Sequence, residues 1–458
     1  MKASVWTVTV KLGAVLASLC LAGPVSAKDL GDILVEKGLI TQDELRQARE
    51  EEKQKAAAEE SRRDAITAKL PKWLAMVTPF GDVRLRTEGF YADNLNARTR
   101  ERLRARLGLT VAPTDEVSAT IRIASGNAND PISTNQSFQD TFSRKSINLD
   151  QAYLTVRPAG TFGLEPGWGF FMGGKMPVQA YRVSELVFDD DLSPEGAQEQ
   201  LVLAEHREGA FRGLKVNGFQ WVVDEFSSAG DPWMIGGQVV GDFAVGDKGP
   251  FVTLAFADYS YQSMNKVAAK FLEPTSKSYN SQLAISNDLR KNADGKITGF
   301  DSGFNILNLN GEVNFPNVWR TYGAGVFGEL AHNTQADNRG TGFMVGAGFG
   351  SSGRGWYSNS LKNPGDWAVS YAYERVEQDA VPAMFSYSDG EFVTSAGSIR
   401  GSTNVQFSLL RLDYMLFPGF QLTAKSHFIN SLDRQTASAA TSGNATLIRT
   451  QLDATLRF

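Results

Sequence analysis

The stretch "RERLRARLGLTV", residues 100–111, alternates with a strict period of two. Leu103, Ala105, Leu107, Leu109 and Val111 fall on one side of an extended chain, and Arg102, Arg104, Arg106, Gly108 and Thr110 on the other, because successive side chains of a strand point to opposite faces. A greasy face backed by a row of arginines fits two architectures. In a soluble sandwich the leucines are core and the arginines meet water. In a barrel that crosses a membrane, the leucines meet lipid and the arginines line an interior.

Repetition of the pattern separates the two. Val117, Ala119, Ile121 and Ile123 alternate with Ser118, Thr120 and Arg122, and Leu307, Leu309, Val313 and Phe315 with Asn308, Asn310, Glu312 and Asn314. Trp367, Val369, Tyr371 and Tyr373 face away from Ser370 and Glu374, and Phe420, Leu422, Ala424 and Phe428 from Gln421, Thr423, Lys425 and His427. Segments of roughly ten residues, apolar toward lipid and polar toward a lumen, are what a transmembrane barrel strand requires. Only a closed barrel satisfies every backbone group in lipid. The expected fold is therefore an all-β antiparallel transmembrane barrel of roughly 16 strands, starting near 81, 100, 116, 147, 168, 209, 219, 233, 250, 303, 320, 341, 366, 402, 419 and 446. Short links, "APTDE", "NG" at 217–218, "GDKGP", "PNVWR" and "FPG", are expected at the periplasmic end, and the long stretches 127–146, 177–208, 262–302 and 380–401 at the other.

Composition agrees. The chain has 44 glycines, 10% aromatic and 21% charged residues, and beyond its N-terminus no apolar run reaches the roughly 20 residues of a membrane helix. At the N-terminus, Lys2 and Lys11 flank an apolar run ending in "PVSA", which reads as a signal peptide, residues 1–27, cleaved after Ala27. Leu19, standing before Cys20, is too large for a lipoprotein signal. Without the leader, which carries two lysines and the only cysteine, 44 basic and 51 acidic residues remain, a formal charge of −7. Disulfides and thiolate metal sites are then excluded, and the acidic balance argues against a nucleic-acid partner. The chain ends "LIRTQLDATLRF", with Ile448, Leu452, Leu456 and Phe458 on one face. This resembles the C-terminal strand by which outer-membrane proteins meet their assembly machinery, so outer-membrane lipid and that machinery, through Phe458, are expected partners.

Residues 28–75 lie outside this pattern. Thr41 and Glu44 form a capping box, and a run rich in Ala, Glu, Lys, Gln and Arg follows to Leu70, a periplasmic helix of roughly 30 residues and about 45 Å. Apolar residues at heptad spacing are sparse after Ala48, against a strong coiled coil. "LGDILVEKG" resembles the small helical N-terminal modules of secretion ATPases, but Asp29 stands where those carry arginine and the second copy is missing. A packing or tethering role is expected, with peptidoglycan or a periplasmic protein as partner of residues 28–70.

"LDQAYLTVRP" (149–158), "GKMPV" (174–178), "FDDDLSPEGA" (188–197) and "VPAMFSYSDGEF" continuing to "GSTNV" (381–405) resemble the spaced motifs of the putative porin family of bacterial outer membranes. The resemblance spans most of residues 75–458 and implies a barrel, a diffusion role and a homotrimer. Its most specific part holds Asp189, Asp190, Asp191 and Glu195. A metal site, a catalytic carboxylate pair and an acidic loop in a watery passage all suit such a cluster locally. Calcium loops space their ligands as D-x-D-x-D-G, unlike this adjacent triplet. The three histidines, His206, His332 and His427, form no triad or metal motif, although His427 beside Ser426 is the best seed for an enzyme. No catalysis, cofactor or metal is expected. The resemblance implies that residues 179–200, the third external connection, fold into the lumen and narrow it. Arg84, Arg86, Arg100, Arg102, Arg104 and Arg106 share the lumen phase and are the expected opposing wall. The expected function is an outer-membrane channel for passive diffusion of small polar or charged solutes, with an envelope tether as the alternative.

Overall fold

The computed structural model describes residue 41 and residues 71–458, apart from 94, 228–229, 247, 284–285, 352–360, 394–398 and 434–444. The expected signal peptide and N-terminal helix lie outside the described residues. Met76–Phe458 is one compact unit, built on 16 long antiparallel strands. These are β1 (Val77–Ala92), β2 (Leu95–Val111), β3 (Val117–Ser125), β4 (Ile147–Val156), β5 (Gly169–Lys175), β6 (Glu195–Glu205), β7 (Phe211–Val222) and β8 (Trp233–Ala244). They continue as β9 (Phe251–Gln262), β10 (Phe304–Trp319), β11 (Tyr322–Asn333), β12 (Thr341–Gly350), β13 (Trp367–Val376), β14 (Val405–Phe417), β15 (Phe420–Ser431) and β16 (Leu447–Arg457). Each pairs with the next, and β1 pairs with β16 from Asp82↔Arg457 to Tyr91↔Ile448, so the sheet closes on itself. No open edge remains among these strands.

Burial is inverted relative to a soluble protein. Leu85, Leu109, Ile121, Leu254, Leu309 and Leu410 are exposed on the outside, whereas Asp82, Arg86, Glu88, Arg104, Gln151 and Asp453 are buried within. Aromatic rings gather at the end where β1 starts and β16 stops: Tyr322 lies 5.2 Å from Trp367 and 5.7 Å from Trp319, and Phe211 5.8 Å from Phe243. Rings at this level form the interfacial girdle of a membrane barrel.

One part of the expected strand order is corrected. "NG" at 217–218 is not a turn but the middle of β7, and a whole strand, β6, precedes it. Asn217 points inward and bonds Gln200 and Gln238, while Gly218 sits opposite Glu199 and Gly237 in two ladders. β6 hides its period because a register shift between Val202 and Ala204 and a polar outward residue, Glu199, interrupt the alternation. The true short link is 206–210. The count of 16 survives because one strand was missed and another split.

The lumen is also less polar than expected. Around β7 to β14 the inward residues are large and apolar: Phe219, Trp221, Met234, Tyr259, Ile306 and Phe407 are all buried. The loop 176–194 fills this half. Its Val183, Leu186, Val187 and Phe188 pack there, with Phe188 edge-on to Trp221 at 5.2 Å and to Tyr259 at 5.0 Å. Inward polar side chains cap the loop backbone: Tyr181 N–H donates to Gln238 Oε1 at 2.8 Å and Val183 N–H to Asn310 Oδ1 at 3.0 Å. Capping of this kind is needed because unpaired buried backbone groups are costly. Loops 263–303 and 377–404 join the same core, Asn287 Nδ2 donating to the carbonyls of Gln378 at 2.7 Å and Val381 at 2.8 Å.

Candidate functional site

The loop 176–194 leaves and re-enters the wall between two facing glycines, Gly174 and Gly196, which are register partners with φ of 129° and 139°. A Cβ would meet Ala152 O at 2.3 Å in the first and Gln220 O at 2.2 Å in the second. Only glycine fits there, and the kinked wall directs the loop inward. Its apolar side then faces the filled half of the lumen and its acidic side faces β1 and β2.

All six expected basic residues point into the lumen, and the register sets Arg84 opposite Arg104, Arg86 opposite Arg102, Asp82 opposite Arg106 and Glu88 opposite Arg100. Like charges directly across a ladder repel, so carboxylates are interleaved. Asp82 accepts from Arg104 at 2.9 Å and from Arg106 at 2.7 Å. Asp453 takes Arg86 through two bonds of 2.7 and 2.8 Å, and Glu88 takes Arg100 at 2.5 Å. Arg84 donates to Asn135 at 2.6 Å. The row is thus a mixed lattice and not a bare positive track.

The four acidic positions separate into different roles. Asp191 is the one that meets the wall: it lies 3.2 Å from Arg106 and 3.7 Å from Arg104, and Thr134 donates to it through N–H and Oγ1, both at 3.0 Å. Burial would push its carboxyl up, but Arg104, Arg106 and Arg84 outweigh burial and hold it below the usual range. Asp189 borders the space between loop and wall, but its bonds run to loop backbone. It accepts the N–H groups of Ser388 at 2.9 Å and Asp191 at 2.8 Å, and its own N–H donates to Phe385 O, tying this loop to 377–404. Burial and the nearby Asp191 carboxylate push Asp189 up to about 8. Burial likewise pushes Glu185 well above the carboxylate range. Asp190 is the exposed member, 3.3 Å from Arg182; Arg182 also donates to Phe188 O. Glu195 is not in the loop but opens β6, exposed and paired with its register partner Lys175 at 3.1 Å.

Between loop and wall lies a cavity of about 400 Å³, lined by Arg84, Arg104, Arg106, Asp190, Asp191 and Lys425 among others, almost all polar. Asp191 also lines a second space of about 440 Å³ toward the long-loop end, beside Asn127, Asn129 and Phe385. Asp191 thus belongs to the lining of both spaces. Eight cationic side chains line the first cavity against six carboxyls, of which burial pushes Asp189 up to about 8 and Glu185 well above the carboxylate range.

Residues outside the expected set complete the site. Asp389, in loop 377–404, sits between Arg449 at 2.6 Å, Arg86 at 3.5 Å and Lys425 at 3.8 Å. Burial opposes its ionisation, yet Arg449, Arg86 and Lys425 hold it well below the usual range. Asp82, Glu88 and Asp453 share the strand parity of the arginines, a signal present in the sequence; Asp389 lies inside "VPAMFSYSDGEF" but has no periodicity to announce it. His427 is fully buried, bonded to Tyr387 Oη at 2.9 Å and edge-on to Phe407 at 5.8 Å, a packed position unlike that of a working base. No cluster of side chains suited to hold a metal occurs among the described residues.

The fold is similar to that of OprB from Pseudomonas putida, at 11% identity, a TM-score of 0.50 and coverage of 83% of this chain and 94% of that one. A triple mutant of Rhodopseudomonas blastica porin aligns at 10% identity and a TM-score of 0.39 over 84% of this chain and 100% of its own. OmpT of Vibrio cholerae lacking loop L8 aligns at 10% and 0.41 over 83% and 99%. No curated protein matches the chain. A family model described as "Putative porin" matches residues 90–403. That span holds the arginines of β2, the acidic loop and Asp389, and it exceeds half of the sequence, so the chain belongs to the "Putative porin" family.

Proposed function

We propose that the chain forms a water-filled channel across the outer membrane for passive diffusion of small polar solutes, with a modest preference for anions. The observation that carries this reading is the polar cavity of about 400 Å³ between Asp191 and the arginine row, inside a barrel whose other half is filled. A narrow path with charged walls admits solutes that can replace hydration contacts and hinders apolar ones. Cationic side chains outnumber carboxyls on its lining, where burial pushes Asp189 and Glu185 toward the neutral form, and Asp82, Asp150 and Asp413 behind Arg104, Arg122 and Arg411 reduce that excess. In this reading the short links and both barrel termini face the periplasm, Phe458 serves assembly, and the protein is a homotrimer. The tethering role belongs to residues 28–70, which apart from Thr41 lie outside the described residues. Purified protein in a planar bilayer tests the reading: discrete conductance steps support it, and a heat-modifiable barrel that never conducts would sink it.

Single substitutions separate the acidic positions. Asp191→Asn removes the counter-charge of Arg104 and Arg106 and should move the reversal potential in a salt gradient toward anions. Asp189→Asn replaces an already neutral carboxyl and should leave it nearly unchanged. Equal shifts from the two would refute the division of roles. In 1 M salt the Asp191→Asn shift should shrink, as the Debye length there is about 3 Å.

Alkaline pH has a predictable sign. Asp189 binds its proton more tightly folded than unfolded, so the stability it contributes is fully present below the unfolded carboxyl range and is lost as pH rises through about 8. Loop docking should weaken as pH rises from the ordinary carboxyl range to about 8 and level off above it, seen as increasing channel noise, and Asp189→Asn should abolish that increase. Noise that rises equally in the variant would assign the transition to another group.

A further inference from the structure

Of the eight cationic side chains that line the cavity between loop and wall, five bond a carboxylate directly. Arg86 bonds Asp453 at 2.7 Å, Arg104 and Arg106 bond Asp82 at 2.9 and 2.7 Å, Arg122 bonds Asp150 at 2.5 Å and Arg411 bonds Asp413 at 2.7 Å. Lys425 stands 3.8 Å from Asp389. Arg84 and Arg457 differ from these. Arg84 donates to the Asn135 side chain at 2.6 Å, and the carboxylate beside it, Asp453 at 3.8 Å, already takes two bonds from Arg86. Arg457 donates to Gln421 Oε1 at 2.9 Å, and Asp82, its partner across the ladder, is occupied by Arg104 and Arg106. An amide orients a guanidinium without neutralising it.

The register brings these two cations together. Thr455 lies opposite Arg84 and two residues before Arg457 on β16. Thr455 and Arg457 share the inward face, because Leu456 between them is exposed on the outside and successive strand residues point oppositely. The Thr455 side chain makes no hydrogen bond among the described residues, and all three residues line the cavity. Only 12% of the Arg84 side chain is exposed, whereas Arg457 is exposed at the end where β16 stops. The three therefore stand on the short-link side of the cavity.

We propose that Arg84, Arg457 and Thr455 form a saturable subsite for the carboxylate of a small hydroxylated acid. This deepens the channel reading and rests on it, because the solute must first reach the lumen. Two guanidiniums and a hydroxyl offer strong donors to a planar anion with two oxygens. One negative charge suits the place better than two, since Asp389 and Asp453 line the same cavity and repel a dianion. The body of the solute must carry hydroxyls, because the lining is almost all polar and polar groups that give up water need replacement partners. A volume of about 400 Å³ is within the range of small-molecule sites.

Single-channel recording with gluconate as the probe tests the subsite. Gluconate added to a chloride solution should lower the conductance in a saturable way. Arg84→Gln should raise the half-blocking concentration roughly tenfold, the effect of one lost charge-assisted bond. Thr455→Val changes no charge and should raise it about threefold. Arg122→Gln takes the same charge from the same cavity at a position already paired with Asp150, and should move it far less. Equal shifts from Arg84→Gln and Arg122→Gln, or no shift from Thr455→Val, would leave only the general field of the lining and overturn the subsite. Sulfate that blocks as strongly as gluconate would overturn the solute class. A barrel that gives no chloride steps at all refutes the channel reading instead, a separate failure seen before any gluconate is added.

Discussion

Phe188→Ala is expected to widen the channel. Phe188 is 1% exposed and packs against Trp221 and Tyr259, and it is the largest buried apolar side chain of the loop whose next three residues carry the acidic triplet. Truncating a buried phenylalanine costs about 3–5 kcal/mol, which at about 1.4 kcal/mol per decade disfavours the docked loop by at least a hundredfold. The barrel wall should survive, because its ladders do not pass through the loop. The expected record is a larger, noisier single-channel conductance with unchanged heat-modifiability. Conductance equal to that of the unsubstituted protein would mean that the loop's polar anchors hold it unaided, or that the loop does not bound the path. Combining Phe188→Ala with Asp191→Asn separates these, since removal of both anchors must release a loop that does bound it.

The contrast between these two sides of the loop also explains what the sequence made legible. Strands whose two faces differ in polarity, such as β2 with its leucines and arginines, announce themselves by period alone. The lumen phase of Arg84, Arg86, Arg100, Arg102, Arg104 and Arg106 follows from parity and is what the register shows. β7 reads differently: its inward Phe219 and Trp221 and outward Gly218 and Gln220 reverse the expected polarity, so "NG" at its centre imitates a turn. β6 has inward Gln198 beside outward Glu199 and offers no alternation at all. Both exceptions have a cause beyond the strand itself, the first in a loop that covers the inner face and the second in the bond that Glu199 accepts from Gln220 on the neighbouring strand. A local pattern cannot report a partner distant in sequence. The same holds for Asp189, where the triplet's charge is visible but its burial against loop 377–404 is not.

The second large effect is expected at Arg449, which closes the barrel electrostatically where β1 meets β16. It is 2% exposed and lies 2.6 Å from both Glu88 and Asp389, 3.6 Å from Glu391, donates to Ser388 O at 3.2 Å, and covers the Phe90 ring at 5.2 Å. It therefore joins the wall to loop 377–404, which in turn receives Asp189. Removing one member of a buried charge network leaves its partners uncompensated, at a cost of about 3–5 kcal/mol. Arg449→Met should lower the temperature at which the barrel loses its compact gel mobility and should release loop 377–404, so noise appears together with instability, unlike Phe188→Ala. Glu88 retains Arg100 at 2.5 Å and Gln451 at 2.9 Å, and Asp389 retains Arg86 and Lys425 at longer range, so the loss should be partial. Glu88→Gln added to Arg449→Met removes one of the stranded charges and should recover part of the stability. Arg449→Lys keeps the charge but not the planar fork that reaches Glu88 and Asp389 together, and should fall between. No recovery with Glu88→Gln would mean that the arginine acts mainly by packing on Phe90, and that the wall and the loop are held together by the apolar core instead.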